Sequence, residues 1–396
     1  MANPSRQSLR CAWIVIVCKC RNTGLAVLVF LAALIWDAAQ RGPAPPMARA
    51  VWPMPAVSPS VSVDALVPTG SGFIPMPGST PAAHSSSLLT MPRGHPAVLM
   101  AFWFAGSGES APDVQIAASG FDRTTQRWLP AQCAVDRHAL GAALGFGVRR
   151  LGNPVAWLDG QGRVHLFVVA TGLGGWAASR VVHLRQSGTG PIMRFDLVRV
   201  LPLSWLWNTS FLVRTAPLPL QDGGMVLPVY FELGAKYPAA LRFDAEGQFV
   251  SMVRISRRGH LLQPTLVMQN DRQWLALMRD QRPAGRVAAA QTQDGGQSWS
   301  DLPDLTLTNP NASVAGMGIA PGQMVLVHNS SPQARYILDL SRSSDGVHWQ
   351  LLARLADGHG AGEYSYPALA WADGSLWVSY THLRQRIAWQ RLGMKQ

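Results

Sequence analysis

The sequence predicts an all-β chain, a six-bladed β-propeller of four-stranded antiparallel blades. Three observations predict it. Short apolar runs recur along the body between turn signals, a polar turn closed by an aromatic returns at a near-constant interval, and no stretch keeps a 3.6-residue period.

Composition sets the frame. The chain has 396 residues, 48% of them hydrophobic and only 14% charged, with 37 glycines and 29 prolines. That mixture suits short strands joined by tight turns rather than long solvated helices. The formal charge of +12 rests on arginine, since Lys19, Lys236 and Lys395 are the only lysines. No basic run or recognition-helix pattern accompanies it, which argues against nucleic acid and leaves an anionic glycan as a compatible partner. Three of the four cysteines (Cys11, Cys18 and Cys20) precede the body, and Cys133 stands alone within it. A disulfide framework or cysteine-rich zinc site in the body is thereby excluded. No phosphate loop, metal-ligand cluster or Gly-x-Ser-x-Gly elbow is found, so no cofactor and no metal are expected.

The N-terminus reads as an address. Arg6, Arg10, Lys19 and Arg21 precede the uncharged "GLAVLVFLAALIW" at 24–36. A basic segment before a short apolar one is the pattern of a secretory signal, and a spanning helix needs roughly 20 residues. "MARA" (47–50) offers a cleavage site at Ala48 and Ala50; the alternative is an uncleaved signal anchor. The expected organisation is therefore a signal peptide or anchor over 1–40, a Pro/Ser/Ala-rich spacer over 41–82 and a propeller over 83–396. The protein is expected to be exported, periplasmic or extracellular, touching a membrane only through this segment.

Along the body, "AVLMAFWFAG", "VHLFVVATG", "GMVLPVYFEL", "QWLALMRD", "MVLVHNS" and "LWVSYTHL" read as strands. The hairpin-type turns "LDGQGR", "LQDGG", "APGQ" and "WADGS" bound them. Strands at this spacing make a sandwich, a barrel or a propeller. The repeat decides among these. Turn-plus-aromatic features fall at Trp128, Phe195, Phe249, Trp299 and Trp349, and the last two intervals of fifty residues match one four-stranded blade. A final strand group, "SLWVSYTHLRQRIAWQRL", completes six blades, with "GFIPMP" (72–77) expected to close the last.

Two turns are written out most fully, Thr292-x-Asp294-x-Gly296-x-x-Trp299 and Ser343-x-Asp345-Gly346-x-x-Trp349. Hydroxyl and carboxylate can bond nearby backbone N–H groups, glycine supplies a positive φ, and tryptophan folds back into the blade. Asp294 and Asp345 are therefore architectural.

These two turns resemble the Asp-boxes of the sialidase (neuraminidase) superfamily. The chain resembles a bacterial branch of predicted sialidases with such BNR repeats from about 84 to 390, in "HSSSLLTMPRGHPAVLMAFWFAGSGESAPDVQI", "LGNPVAW" and "EYSYPALAWADGSLWVSY". The resemblance implies a sialidase-like propeller and an exo-α-sialidase type of hydrolysis. "QPTLVMQNDRQWLALMRD" and "SSPQARYILDLSRSSDG" resemble segments carrying two arginines of a carboxylate-binding triad, matched here by Arg279 and Arg335. Two converging guanidiniums bind a carboxylate bidentately. "GEYSYPAL" resembles the segment of the nucleophile, implying Tyr364, and "GESAPDVQI" the loop of the acid/base, implying Asp113.

The chain also departs from that pattern. His84 stands near the family's first arginine, and "VSYTHL" offers Thr381 where its glutamate partner would be. The glutamate that activates the tyrosine corresponds to Gln263, which takes no proton at neutral pH. Glu363 and His84 are the alternative bases. The expected substrate is an acidic glycan; the rival readings are a uronate-specific lyase and a non-catalytic glycan- or protein-binding propeller. Trp103, Trp176, Trp205 and Trp207 offer faces for sugar stacking or for the core. Asn208, Asn311 and Asn329 head Asn-x-Ser/Thr sequons.

Overall fold

The computed structural model describes residues 23–33, 35, 47–53, 62–78, 80–109, 111–188, 193–204 and 208–395. The chain divides into two units, Met1–Pro45 and Pro46–Gln396. In the first, residues 23–33 are helical. Among the described residues no helix is long and apolar enough to cross a membrane.

The second unit is a six-bladed propeller. Blade 1 runs Ala82–Thr90, Ala97–Gly106, Gln115–Asp122 and Gln132–Val135 from the axis outward; blade 2 runs Arg150–Leu158, Val164–Thr171, Ser179–Ser187 and Arg194–Val200. Blade 3 splits its inner strand into Phe211–Val213 and Leu218–Pro219, followed by Met225–Phe231, Tyr237–Phe243 and Phe249–Arg254. Blade 4 is Leu261–Met268, Trp274–Asp280, Ala288–Thr292 and Ser300–Asp301; blade 5 is Ala315–Ala320, Gln323–His328, Ile337–Ser343 and Gln350–Asp357. The expected strands lie within a residue or two of these bounds, because each apolar run is buried on both faces and so reads as continuous rather than alternating. Leu166 and Val168, for example, pack with Phe102 and Phe104 of blade 1. Phe167 and Val169 turn the other way onto Leu227 and Val229 of blade 3.

Blade 6 joins Tyr364–Ala372, Ser375–His382 and Arg386–Met394 to an N-terminal strand, Leu66–Phe73. The closing strand thus starts six residues before "GFIPMP" and ends within it, at Phe73, and Ile74 follows it into the core at 1% exposure. This moves the propeller's edge well before residue 83. Residues 47–53, also read from composition as spacer, lie on blades 3 and 4: the Ala50 N–H donates to Asp271 O at 2.7 Å and the Gln221 N–H to Arg49 O at 2.8 Å. Ala48 and Ala50 are buried in a cluster with Leu220 and Trp274. Proline, serine and alanine mark a spacer only on average; alanines small enough to enter an inter-blade groove escape that rule.

The antiparallel order fixes two ends. Inner strands start, second strands finish and third strands start at one end, which carries residues 84, 279 and 335; third strands finish at the other, which carries both Asp-box turns.

Candidate functional site

The site is assembled from irregularities. The inner strands of blades 1, 2, 4 and 6 each slip register near their start, between His84 and Ser87, Gly152 and Val155, Leu262 and Thr265, and Ser365 and Ala368. In each bulge one residue takes a left-handed φ: Ser85 at 57°, Asn153 at 44°, Gln263 at 50° and Tyr366 at 52°. Bulges re-aim side chains, and non-glycine residues at positive φ persist only where their surroundings hold them.

A hydrogen-bonded network links these residues from blade to blade. The Ser85 N–H donates to Thr381 Oγ1 at 3.1 Å, and Ser85 Oγ donates to Asn153 Oδ1 at 2.8 Å. Asn153 Nδ2 and Gln263 Nε2 both donate to Tyr230 Oη, at 3.4 and 3.3 Å. Burial pushes the Tyr230 phenol up, so it stays neutral. Arg279 Nη1 then donates to Gln263 Oε1 at 3.3 Å and to Tyr366 Oη at 3.4 Å.

Arg279 and Arg335 meet at Asn311. Arg279 Nε donates to its side-chain oxygen at 2.6 Å and Arg335 Nη2 to its carbonyl at 2.7 Å. Arg335 Cζ lies 5.9 Å from the centre of the Tyr366 ring. The two expected arginines are therefore brought together, with Gln263 bonded to one of them. Glu363 is beside them but occupied. It accepts from Arg335 Nη1 at 3.1 Å, Ser365 Oγ at 2.7 Å and Arg384 Nε at 2.7 Å. Burial raises its carboxyl, but the bonds from Arg384 and Ser365 outweigh this and hold it at about 2. Such a group is an ion-pair partner, not a base.

His84 also reaches the centre: its ring lies 4.2 Å from that of Tyr366. Neither ring nitrogen has a hydrogen-bond partner among the described residues. Burial, then Arg384 nearby, pushes its pKa down to about 3. The imidazole is neutral and a poor proton acceptor.

Two expected residues do not join. The Tyr364 ring packs against His382 at 5.1 Å; the residue's N–H donates to the Arg335 carbonyl at 2.8 Å, but among the described residues its phenol makes no hydrogen bond to either guanidinium. The tyrosine facing the arginines is Tyr366. The difference is the bulge, which inserts a residue and shifts which side chain reaches the axis. Asp113 is an exposed turn residue that accepts from the Ser107 N–H and Ser107 Oγ, both at 2.9 Å. Those bonds hold its carboxyl below the usual range, the reverse of a proton-holding acid. From the same loop it is Glu109 that reaches the site, paired with Arg384.

Sequence reasoning also missed Arg214. It is 1% exposed, and its Cζ lies 5.2 Å from the Tyr366 ring. Its Nη1 donates to Ser86 O at 3.2 Å and Nη2 to Pro367 O at 2.8 Å. Burial lowers it to about 10, so it remains a cation at neutral pH. The signal that could have found the bulges is Asn153-Pro154, Gln263-Pro264 and Tyr366-Pro367. A proline just inside a central strand demands an irregularity there.

Of the tryptophans, Trp103 is fully buried in the core and Trp176 is half-buried at the site end. Trp205 and Trp207 lie outside the described residues. Among the described residues no group of three or more His, Cys, Asp or Glu side chains is placed to hold a metal.

At the opposite end the Asp-boxes are closed as turns. Thr292 Oγ1 accepts from the Gly296 N–H at 2.9 Å, and Asp294 from the Ser298 N–H at 2.9 Å. Asp345 accepts from the Val347 and His348 N–H groups, both at 2.8 Å. Gly346 sits at φ 80°, and a Cβ there would meet Leu275 Cδ1 at 2.3 Å. Trp299 and Trp349 pack onto the inter-blade cores.

The family of the BNR repeat-like domain matches residues 97–378. Structures of low sequence identity share the fold. A Hadza microbial sialidase, Hz136, is 17% identical with a TM-score of 0.62, covering 79% of this chain and 66% of that one. Trypanosoma rangeli sialidase bound to the inhibitor DANA is 12% identical with a TM-score of 0.62, covering 82% and 60%. A Dyadobacter fermentans protein of unknown function is 11% identical with a TM-score of 0.65, covering 83% of this chain and 99% of that one. The chain thus spans about two thirds or less of these two sialidases. No curated protein matches it by sequence.

Proposed function

The chain belongs to the BNR repeat-like family, and from that premise we propose that it is a sialidase-like glycosidase of an acidic glycan with altered chemistry. One observation carries this reading: Arg279 and Arg335 converge on Asn311 and Tyr366 at the site end. With Arg214 beneath the ring, three guanidiniums surround one phenol, a field suited to a sugar carboxylate. Arg279 and Arg335 would bind that carboxylate. Tyr366, its phenolic proton passing to water because Gln263 cannot take it, would attack the anomeric carbon, forming a tyrosyl–glycosyl bond as the bond to the leaving oxygen breaks. The leaving oxygen would take its proton from solvent at the cleft edge, where Glu109 pairs with Arg384, and water would then release the sugar.

The chemistry is altered because Gln263 takes the place of a base and His84 that of a third carboxylate-binding arginine. The same two substitutions favour a second reading, a propeller that binds the acidic sugar without cleaving it. The low basicity of His84 weighs against a lyase.

The test is release of a fluorophore from α-glycosides of sialic and uronic acids by the full chain, with calorimetry on the same free sugars. Release that vanishes in Tyr366→Phe supports the glycosidase. Saturable binding without release supports the binding module, and neither signal rejects both. Export is part of the proposal, on the basic and apolar N-terminal segments; cell fractionation that found the chain in the cytosol would overturn it.

A further inference from the structure

A second cationic feature lies on the site end, between blades 1 and 2. Arg137, Arg149, Arg150 and Pro112 line an open hollow of about 320 Å³. The short helix Arg137–Leu144 and the turn after it connect the outer strand of blade 1 to the inner strand of blade 2, so the three arginines belong to the site face. None of the three forms an ion pair with a carboxylate among the described residues. Arg137 Nη1 donates to Val148 O at 2.6 Å, and its Nε is buried without a partner. Arg149 is exposed and Arg150 half-buried. Asp113 is the acidic group that Arg137 attracts, but its carboxylate already takes both bonds from Ser107. Like charges gathered without counterions repel, an arrangement that an anionic ligand relieves.

The hollow and the central site share a loop. Residues 107–109 present Glu109 to Arg384 on one side, and residues 111–114 present Pro112 to the hollow on the other. We propose that the hollow is a second anion subsite, taking a sulfate or carboxylate on a sugar unit beyond the one held by Arg279 and Arg335. This rests on the acidic-sugar reading of the central site and extends it: the ligand is a polyanionic oligosaccharide, not a single acidic sugar. Guanidinium forks suit both oxyanions, bound through paired N–H donors.

Titration calorimetry at fixed ionic strength tests it, using the full chain with glucuronic acid, an oligogalacturonate tetramer and a sulfated heparin tetrasaccharide. Arg149→Gln with Arg150→Gln should weaken at least one tetramer about ten-fold and leave the monosaccharide unchanged. Arg149→Gln alone, at an exposed position, should lose part of that affinity with an unchanged melting temperature. Arg194→Gln, exposed in the outer strand of blade 2, controls for net charge. Unchanged tetramer affinity in the double variant overturns the subsite, and so does an equal loss in Arg194→Gln. If no monosaccharide binds while tetramer affinity still falls in the double variant, the hollow stands and the central reading fails.

Discussion

Tyr366 Oη accepts a hydrogen bond from Arg279 Nη1 at 3.4 Å, across the axis between blades 6 and 4. Residues 87 positions apart meet because the bulge in blade 6 aims Tyr366 at the end of the second strand of blade 4, which carries Arg279. If this phenol is the nucleophile, Tyr366→Phe should lower glycoside cleavage about a thousand-fold or more. Tyr364→Phe should change it by less than about two-fold, since that ring packs on His382. Steady-state kinetics on the two variants decides between them.

Gln263 bonds both Tyr230 and Arg279. Gln263→Glu places a carboxylate beside that arginine at the position of the missing base. Hydrolysis of a sialoside should rise at least about ten-fold, in the range a positioned base contributes. An unchanged rate with intact folding would show that the base is not what this site lacks.

Arg214 holds the Pro367 carbonyl, next to Tyr366, and the Ser86 carbonyl on the neighbouring blade. Arg214→Met leaves both carbonyls without this donor while relieving the burial of a cation. We expect a net loss of about 2 kcal/mol in urea unfolding, from two lost charge-assisted bonds partly offset by desolvation. Affinity for acidic sugars should fall with it.

Asp294 and Asp345 lie at the end opposite the site. Asp345→Ala should cost about 1–2 kcal/mol by removing bonds to the Val347 and His348 N–H groups. Glycan affinity should not change. A specific loss of binding at unchanged stability would contradict the architectural role.

Acid should weaken the fold through its buried histidines. Burial lowers both His84 and His183 to about 3 from 6.5. Between those values the unfolded chain binds the proton and the folded chain does not, so stability is complete above about pH 6.5 and is lost as pH falls toward 3. Each such histidine contributes about 2 kcal/mol of this loss between pH 7 and 5. His84→Phe should flatten the fall in melting temperature over that interval, and an unaltered slope would rule the effect out.

The sequence by itself determined the blades and the Asp-boxes, because both are local. A run buried on both faces announces its strand, and the hydroxyl, carboxylate and glycine of a turn bond within a few residues of one another. It also singled out Arg279 and Arg335, through the resemblance of the segments that lead into the two boxes. Only the tertiary structure decided the rest. Whether Tyr364 or Tyr366 faces the axis turns on one inserted residue, and period-two patterning cannot report which side of a bulge a side chain leaves. Asp113 reads as an acid until Ser107 is seen bonded to it, and Arg214 reads as one arginine among many until it is found buried beneath a phenol. The closing strand at Leu66–Phe73 is likewise hidden in a proline-rich segment. Its stability comes from pairing with Arg386–Met394, more than three hundred residues away, not from its own composition.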